Sequence, residues 1–322
     1  MKKAVIMILA AAMMAFCACG RTGDATVDPT KAPAGPTAEP TAAVDNTETV
    51  TPVPKPDPVI GKITDLLTVP VGDGEKDVHY LYDVEGVILG PSAFAVKDGV
   101  VYILDSTKNS VLVCSGEERS AYPLDRNRRC NMFFVGASRT YAADDDQPFI
   151  CVYDKDFKLE KTLNLPDGIK GLDLHLILSE DEHGILTVVT DDMVFYTCDP
   201  ESGVWNKTIS ADVDCLSPIK SYKFDGMSFT IDAGEDTITT FLRFDPEAGK
   251  IWIIVNKQYD LGKMDTTLCL YDTEGSLLAS ADIKLTESIT DNLLYPVFFA
   301  NDGAIYLMTC LEDSVTISSI EF

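Results

Sequence analysis

Turn signals recur at short, even intervals along most of this chain, and the segments between them are apolar, β-branched and too short for ordinary helices. The clearest stretch is Gly90–Cys114. Phe94-Ala95-Val96 runs into the turn Lys97-Asp98-Gly99, Val100–Leu104 follows, then the polar loop Asp105–Asn109, then Val111-Leu112-Val113. Apolar runs broken by Asp-Gly and Asn-containing turns predict an antiparallel meander. The opening hairpin returns as Phe133–Ala143, Ile177–Val189, Leu242–Ile254 and Phe298–Met308. Third strands return at Phe149–Tyr153, Val194–Cys198 and Leu268–Tyr271. Fourth strands are expected at Ala121–Leu124, Lys158–Leu163, Val204–Ile209 and Leu277–Ile283. A four-stranded antiparallel unit repeating at roughly 40 residues is the organising principle of the chain.

Such units resemble the blades of a β-propeller. The first is similar to an NHL-type blade, which couples an Asp, an Asn and a Val-rich strand; Asp105, Asn109 and Val111 stand in those places. Ser110 occupies the position where that family usually has Arg, so the resemblance concerns the fold and no functional subgroup. The fold expected is an all-β propeller of four-stranded blades over residues 61–322, six-bladed, with five or seven as the alternatives. Residues Tyr222–Ile231 and Thr237–Phe241 read as one degenerate extra blade. The final unit lacks a strand, which Val78–Tyr82 or Gly86–Leu89 is expected to supply, closing the ring by pairing its two ends.

Ahead of the repeats the composition changes. Lys2-Lys3 followed by apolar Ala4–Ala15 reads as a secretory leader, too short for the ~20 residues that span a bilayer. Phe16-Cys17-Ala18-Cys19-Gly20 resembles the lipobox of bacterial lipoproteins. That resemblance implies cleavage ahead of Cys19, diacylation of its thiol and attachment to the outer face of the bacterial cytoplasmic membrane. Phe16 and Cys17 depart from the usual pattern. Residues 20–60, rich in Thr, Pro and Ala, cannot bury a core and are expected to form an extended, disordered stalk.

Lys and Arg total 26 against 51 Asp and Glu, a net charge of −25. Nucleic acid and anionic lipid are repelled; cations, polycations and neutral saccharides remain as partners, with the chain itself expected to be monomeric. Beyond the leader lie Cys114, Cys130, Cys151, Cys198, Cys215, Cys269 and Cys310, with no CxxC spacing. Most fall in apolar strands, as buried thiols do, while Cys130 and Cys215 in loops are the pair open to a disulfide. His79, His175 and His183 form no HExxH pattern, and no GxSxG, P-loop or GxGxxG occurs. The turns Asp199–Gly203 and Asp245–Gly249 are read as turn chemistry, not calcium loops.

The candidate site is a face. In a propeller the loops between second and third strands gather around one end of the channel. Here they carry Asp105, Asp144, Asp145, Asp191, Asp260 and Tyr259. Carboxylates brought together by folding repel one another, and a basic ligand or a divalent cation such as calcium would relieve that. Arg126, Arg128 and Arg129 form the one basic cluster. The function expected is binding of a ligand, saccharide or envelope protein through this acidic face. The alternative is an extracellular polysaccharide hydrolase or lyase using carboxylates near the channel. An extracellular solute receptor is a third class, disfavoured because strand–helix alternation is missing.

Overall fold

A computed structural model describes residues 56–82, 86–125, 130, 132–144, 146–181, 183–214, 218–224, 226–260, 263–284, 288–290, 296–300 and 302–322. Residues 1–55, which include Cys19, the expected leader and most of the expected stalk, lie outside the described residues, as do Asp145, Arg126–Arg129 and Cys215. The chain is an all-β, six-bladed propeller. Among the described residues the one helical segment is a single 3-10 turn, Gly171–Asp173, and no helix is long and apolar enough to cross a membrane.

Blade 1 sets the pattern with Pro91–Lys97, Val100–Asp105, Ser110–Ser115 and Glu118–Pro123 in consecutive order. Its first turn places Asp98 at φ 52° and Gly99 at φ 74°, so both central residues take the left-handed conformation that a tight hairpin matching the strand twist requires. Alternate side chains then enter two different cores. Phe94, Val96, Val101, Ile103, Leu112 and Cys114 pack toward blade 6, while Ala95, Leu104 and Val111 pack toward blade 2. Both faces of a blade are therefore buried, which is why its strands read as near-continuous apolar runs rather than as an apolar–polar alternation.

Blades 2 and 3 repeat this over Met132–Asn164 and Leu174–Ser210. Among the described residues blade 4 shows three strands, Asp212–Asp214, Ile219–Phe224 and Met227–Asp232. Blades 3, 4 and 5 share one continuous core instead of two. Aromatic rings fill it, with Phe224 of blade 4 stacked on Phe244 of blade 5 at 4.3 Å and 8°. Gly275, at φ +73°, lies so close to blade 4 that a Cβ there would stand 2.1 Å from the Thr230 carbonyl oxygen.

Blade 5 begins with Thr237–Asp245, a single strand. Thr237–Phe241 therefore belongs to blade 5 and not to the degenerate blade. The register slips between Phe241 and Arg243, so the side-chain alternation breaks mid-strand and the sequence reads as two segments. The second and third strands of blade 5, Lys250–Asp260 and Lys263–Asp272, are about twice the length of those in blade 1.

Ring closure differs from expectation. Blade 6 runs Val297–Phe299, Ile305–Cys310 and Ser314–Glu321, and its fourth strand is Lys62–Pro70, from Lys62 opposite Glu321 to Pro70 opposite Ser314. Just before it, Val59 and Ile60 pair in parallel with Ala279 and Ser280 on the outer edge of blade 5. The two expected donors do something else: Leu81–Tyr82 pairs with Ile88–Leu89 in a small ladder, and Val78 makes a bridge to Val71.

Candidate functional site

The loops between second and third strands do lie at one end of the ring, but their carboxylates take different roles. Asp105 is 1 % exposed and points into structure. Its Oδ2 accepts the His79 backbone N–H (2.9 Å); its Oδ1 accepts the N–H groups of Thr107 (3.1 Å) and Lys108 (3.0 Å) and the Thr107 hydroxyl (2.7 Å). Lys108 in turn donates to the carbonyls of Gly74 and Asp77, both at 2.7 Å. Asp105 thus ties the segment entering the ring onto the first blade. Asp144 is 7 % exposed, and its Oδ1 accepts the Asp146 N–H at 2.9 Å, which shapes its own turn. Asp191 is solvent-exposed, and its N–H donates to the Asp173 carbonyl.

Asp260 and Tyr259 sit at the tip of the long blade 5 hairpin, where Asp260 is opposite Lys263. Tyr259 is 58 % exposed, with the Lys257 ammonium 5.2 Å from its ring centre. Its phenol is pushed above the ordinary range, first by its hydrogen bond to Asp265. Among the described residues no group of three or more His, Cys, Asp or Glu is placed to hold a metal ion.

A concavity lies at the opposite end of the ring, between blades 2 and 3. It is a cleft of about 350 Å³, and its walls include Ser138 and Arg139 from the first turn of blade 2. Glu180, Asp181 and His183 come from the first turn of blade 3, and Asp199 and Glu201 from its last. Glu180 ends the first strand of blade 3 and is 7 % exposed. Its Oε1 accepts the Tyr141 hydroxyl (2.6 Å), and its Oε2 accepts the Ala137 N–H (2.5 Å). Gly136 must be glycine-sized here, since a Cβ would stand 2.2 Å from Oε2. Lys97 of blade 1 braces the same turn, donating to the carbonyls of Gly136 and Ala137. Burial, and then the bond to Glu180, push the Tyr141 phenol far above its ordinary range.

Around the rim Arg139 donates from Nε to Glu160 (3.1 Å) and from its terminal nitrogen to Glu201, while Lys161 reaches the other Glu201 oxygen at 3.1 Å. The bond from Arg139, followed by that from Lys161, holds the Glu201 carboxyl below the usual range. Asp199 is lowered first by accepting the Glu201 backbone N–H, at 2.9 Å. The Asp181 Oδ1 accepts two backbone N–H groups, from His183 (2.9 Å) and Ile185 (2.8 Å). Electrostatically, the cleft is a fixed acidic wall with one guanidinium held across it.

The sign of the resulting pH dependence follows from depressed native values. The unfolded chain takes up protons first, near pH ~4, so the contribution of Glu201 is present above that pH and is lost as pH falls through its lower native value. Melting curves of the parent and of Glu201→Gln are expected to differ at pH 7 and to converge toward pH ~3. The gap is small and salt-sensitive because the pair is exposed. A gap that widens on acidification would contradict this assignment.

The sequence marked the 180–184 and 199–203 turns only as turns. The two turns lie in blade 3, meet the 137–139 turn of blade 2, and form a cleft only once the two blades pack. Nothing in the local spacing announces that. No protein-family model matches the chain, and no curated protein matches it. Solved structures of similar shape include a DUF4221 family member from Bacteroides vulgatus, at 8% identity and TM-score 0.48, covering 81% of this chain and 98% of that one. Another is a Bacteroides fragilis protein described as exported (11% identity, TM-score 0.44, 81% and 95% covered). A third is a gluconolactonase from Xanthomonas campestris (12% identity, TM-score 0.42, 80% and 98% covered). With every one of these TM-scores below 0.5, the likenesses leave the function of this chain to be argued from its own cleft and faces.

Proposed function

We propose that this chain is an extracytoplasmic lipoprotein, anchored through Cys19, whose propeller binds a positively charged or donor-rich ligand, free or displayed on an envelope protein. The observation that carries the binding reading is the cleft between blades 2 and 3, whose size of about 350 Å³ suits a small ligand or one side chain of a larger one. Its carboxylates are committed to shape. Both Glu180 oxygens, the Asp181 Oδ1 and the Asp199 Oδ1 accept internal donors, which makes a rigid recognition surface and leaves these groups poorly suited to shuttling protons. The anchoring half of the reading rests on the leader and on the Ala18-Cys19 step. The exposed Asp191 and Tyr259, at the other end of the ring, mark the second face to which a cation such as calcium would be drawn.

The test is calorimetric titration of the protein with spermidine, a short lysine peptide, calcium and a neutral oligosaccharide. Spermidine or the lysine peptide is expected to bind, with an affinity that falls at least ~10-fold in Glu201→Lys and also falls with salt. Binding that ignores Glu201→Lys but responds to Asp191→Asn would move the site to the other face. Binding of the neutral oligosaccharide alone would overturn the electrostatic reading. Separately, Cys19→Ala is expected to abolish incorporation of a labelled fatty acid; labelling that persists would overturn the anchor.

A further inference from the structure

The cleft between blades 2 and 3 already contains a cation of its own. Arg139 leaves the first turn of blade 2 and lines the cleft together with Glu201 from the last turn of blade 3. Its Nε donates to Glu160 at 3.1 Å, and a terminal nitrogen donates to Glu201 Oε1. Glu160 stands on the fourth strand of blade 2. One guanidinium therefore bridges a carboxylate of its own blade and a carboxylate of the next. That pose uses what a guanidinium has and an ammonium lacks, a planar fork whose donors reach two acceptors at once. The walls set Glu180, Asp181, Asp199 and Glu201 against this single guanidinium, so the cleft stays negative with Arg139 inside it.

The two ends of the bridge are unequal. The Glu201 side chain is 66 % exposed and that of Glu160 40 %, against 24 % for Arg139. Glu201 also has a second partner, the Lys161 ammonium, at 3.1 Å from Oε2. An ion pair this open to water is weak and gives way to competing cations. The Glu160 end is the more sheltered, and serves as a pivot on which Arg139 can leave Glu201. We propose that Arg139 is a tethered occupant of the cation seat, and that the ligand's cation is itself a guanidinium, such as an arginine side chain displayed by an envelope protein, which displaces Arg139 from Glu201. The inference rests on the cleft-binding reading above and gives its ligand a chemical class. A seat held by its own side chain about nine-tenths of the time binds an external ligand ~10-fold more weakly than a vacant one. A lysine ammonium takes Glu201 by charge alone and presents no fork to a second carboxylate. Lys161 supplies the internal control. It carries the same charge and bonds the same carboxylate, but does not line the cleft.

The test is calorimetric titration of the parent, Arg139→Gln, Arg139→Lys and Lys161→Gln with a short arginine peptide and the matching lysine peptide, all at one ionic strength. Arg139→Gln is expected to bind the arginine peptide ~10-fold tighter than the parent does, with a smaller gain for the lysine peptide. Arg139→Lys keeps the charge and loses the fork, and is expected to gain ~3-fold for the arginine peptide. Lys161→Gln is expected to tighten either peptide by no more than ~3-fold, the effect of one charge lost in screened solvent. Millimolar guanidinium chloride, compared with equal sodium chloride, is expected to return Arg139→Gln toward the parent's affinity by refilling the seat, and to change the parent little. A gain in Arg139→Gln no larger than that in Lys161→Gln would make Arg139 one charge among many and overturn the proposal, with the cleft reading intact. A lysine peptide that gains as much as the arginine peptide would overturn the guanidinium class. Binding of neither peptide by any of the four proteins would overturn the cleft reading itself, and the proposal with it.

Discussion

Removing residues through Pro70 is expected to abolish cooperative folding, whereas removing residues through 55 leaves the melt unchanged. The strand Lys62–Pro70 pairs with Ser314–Glu321 at eight positions and carries Ile63, Leu67 and Val69 into two cores. Ladder hydrogen bonds contribute about 0.5–1.5 kcal/mol each, and full burial of an apolar side chain about 1.5–3 kcal/mol, reached by Val69 and in part by half-buried Ile63 and Leu67. The sum is comparable to the whole stability of an ordinary domain, about 5–15 kcal/mol. The strand also satisfies the open edge of blade 6; without it Ser314–Glu321 presents an unpaired ladder. Further ties run through the same segment, including Ser318 Oγ to Asp65 at 2.8 Å and Arg119 to the Thr68 carbonyl at 3.1 Å. Thermal unfolding followed by circular dichroism and calorimetry checks the pair of truncations. A chain starting at Val71 that melts like the longer one would mean that the ring closes by another strand.

Glu180→Ala is expected to be the most damaging single substitution around the cleft, at about 2–4 kcal/mol. It leaves the buried Tyr141 hydroxyl without its acceptor, worth about 1–3 kcal/mol, hands the N–H of exposed Ala137 to water at a smaller cost, and opens a void beside Gly136. Tyr141→Phe removes one of those bonds and is expected to cost about 1–3 kcal/mol. The two should be non-additive, the double variant losing less than the sum, because they share one interaction. Glu180→Gln keeps a carbonyl acceptor and a donor that can turn toward the phenol, so it falls between them. Denaturant titration of the parent and the four variants reads these values. A Glu180→Ala variant within ~0.5 kcal/mol of the parent would mean that the carboxylate is not buried as described.

How much of this was legible depends on how local the cause is. The Asp98-Gly99 hairpin announces itself because both left-handed residues stand in the turn. Blade repetition follows from such turns, and so does the class of fold. The boundary between blades 4 and 5 was displaced because the register slip beside Leu242 hides one long strand as two short ones. The closing strand was missed because its partner is far away; Thr68 and Thr316, 248 positions apart, face one another across the ladder. Neither segment says anything of the other. Asp105 reads as an exposed loop acid, yet its four donors come partly from His79, which no local pattern connects to it. The cleft is harder still, since Arg139 and Glu201 become neighbours only through the packing of two blades.

The strap formed by Val59–Ile60 and Lys62–Pro70 has a mechanical consequence. A pull on the chain ahead of Val59, as from an anchored stalk, enters the ring through this strap. Its first two residues grip blade 5 and its next nine grip blade 6, with Gly61 N–H bonded to the Ser280 carbonyl at the crossing. Tension is therefore divided between adjacent blades before it reaches either core. A pull along the strap loads the ladder in shear, all rungs together, while a pull across it peels them one at a time. The lifetime of the ring under load is then an unfolding rate set by the direction of force, not by the equilibrium stability. The same nine residues that close the circle are the fuse by which it would open.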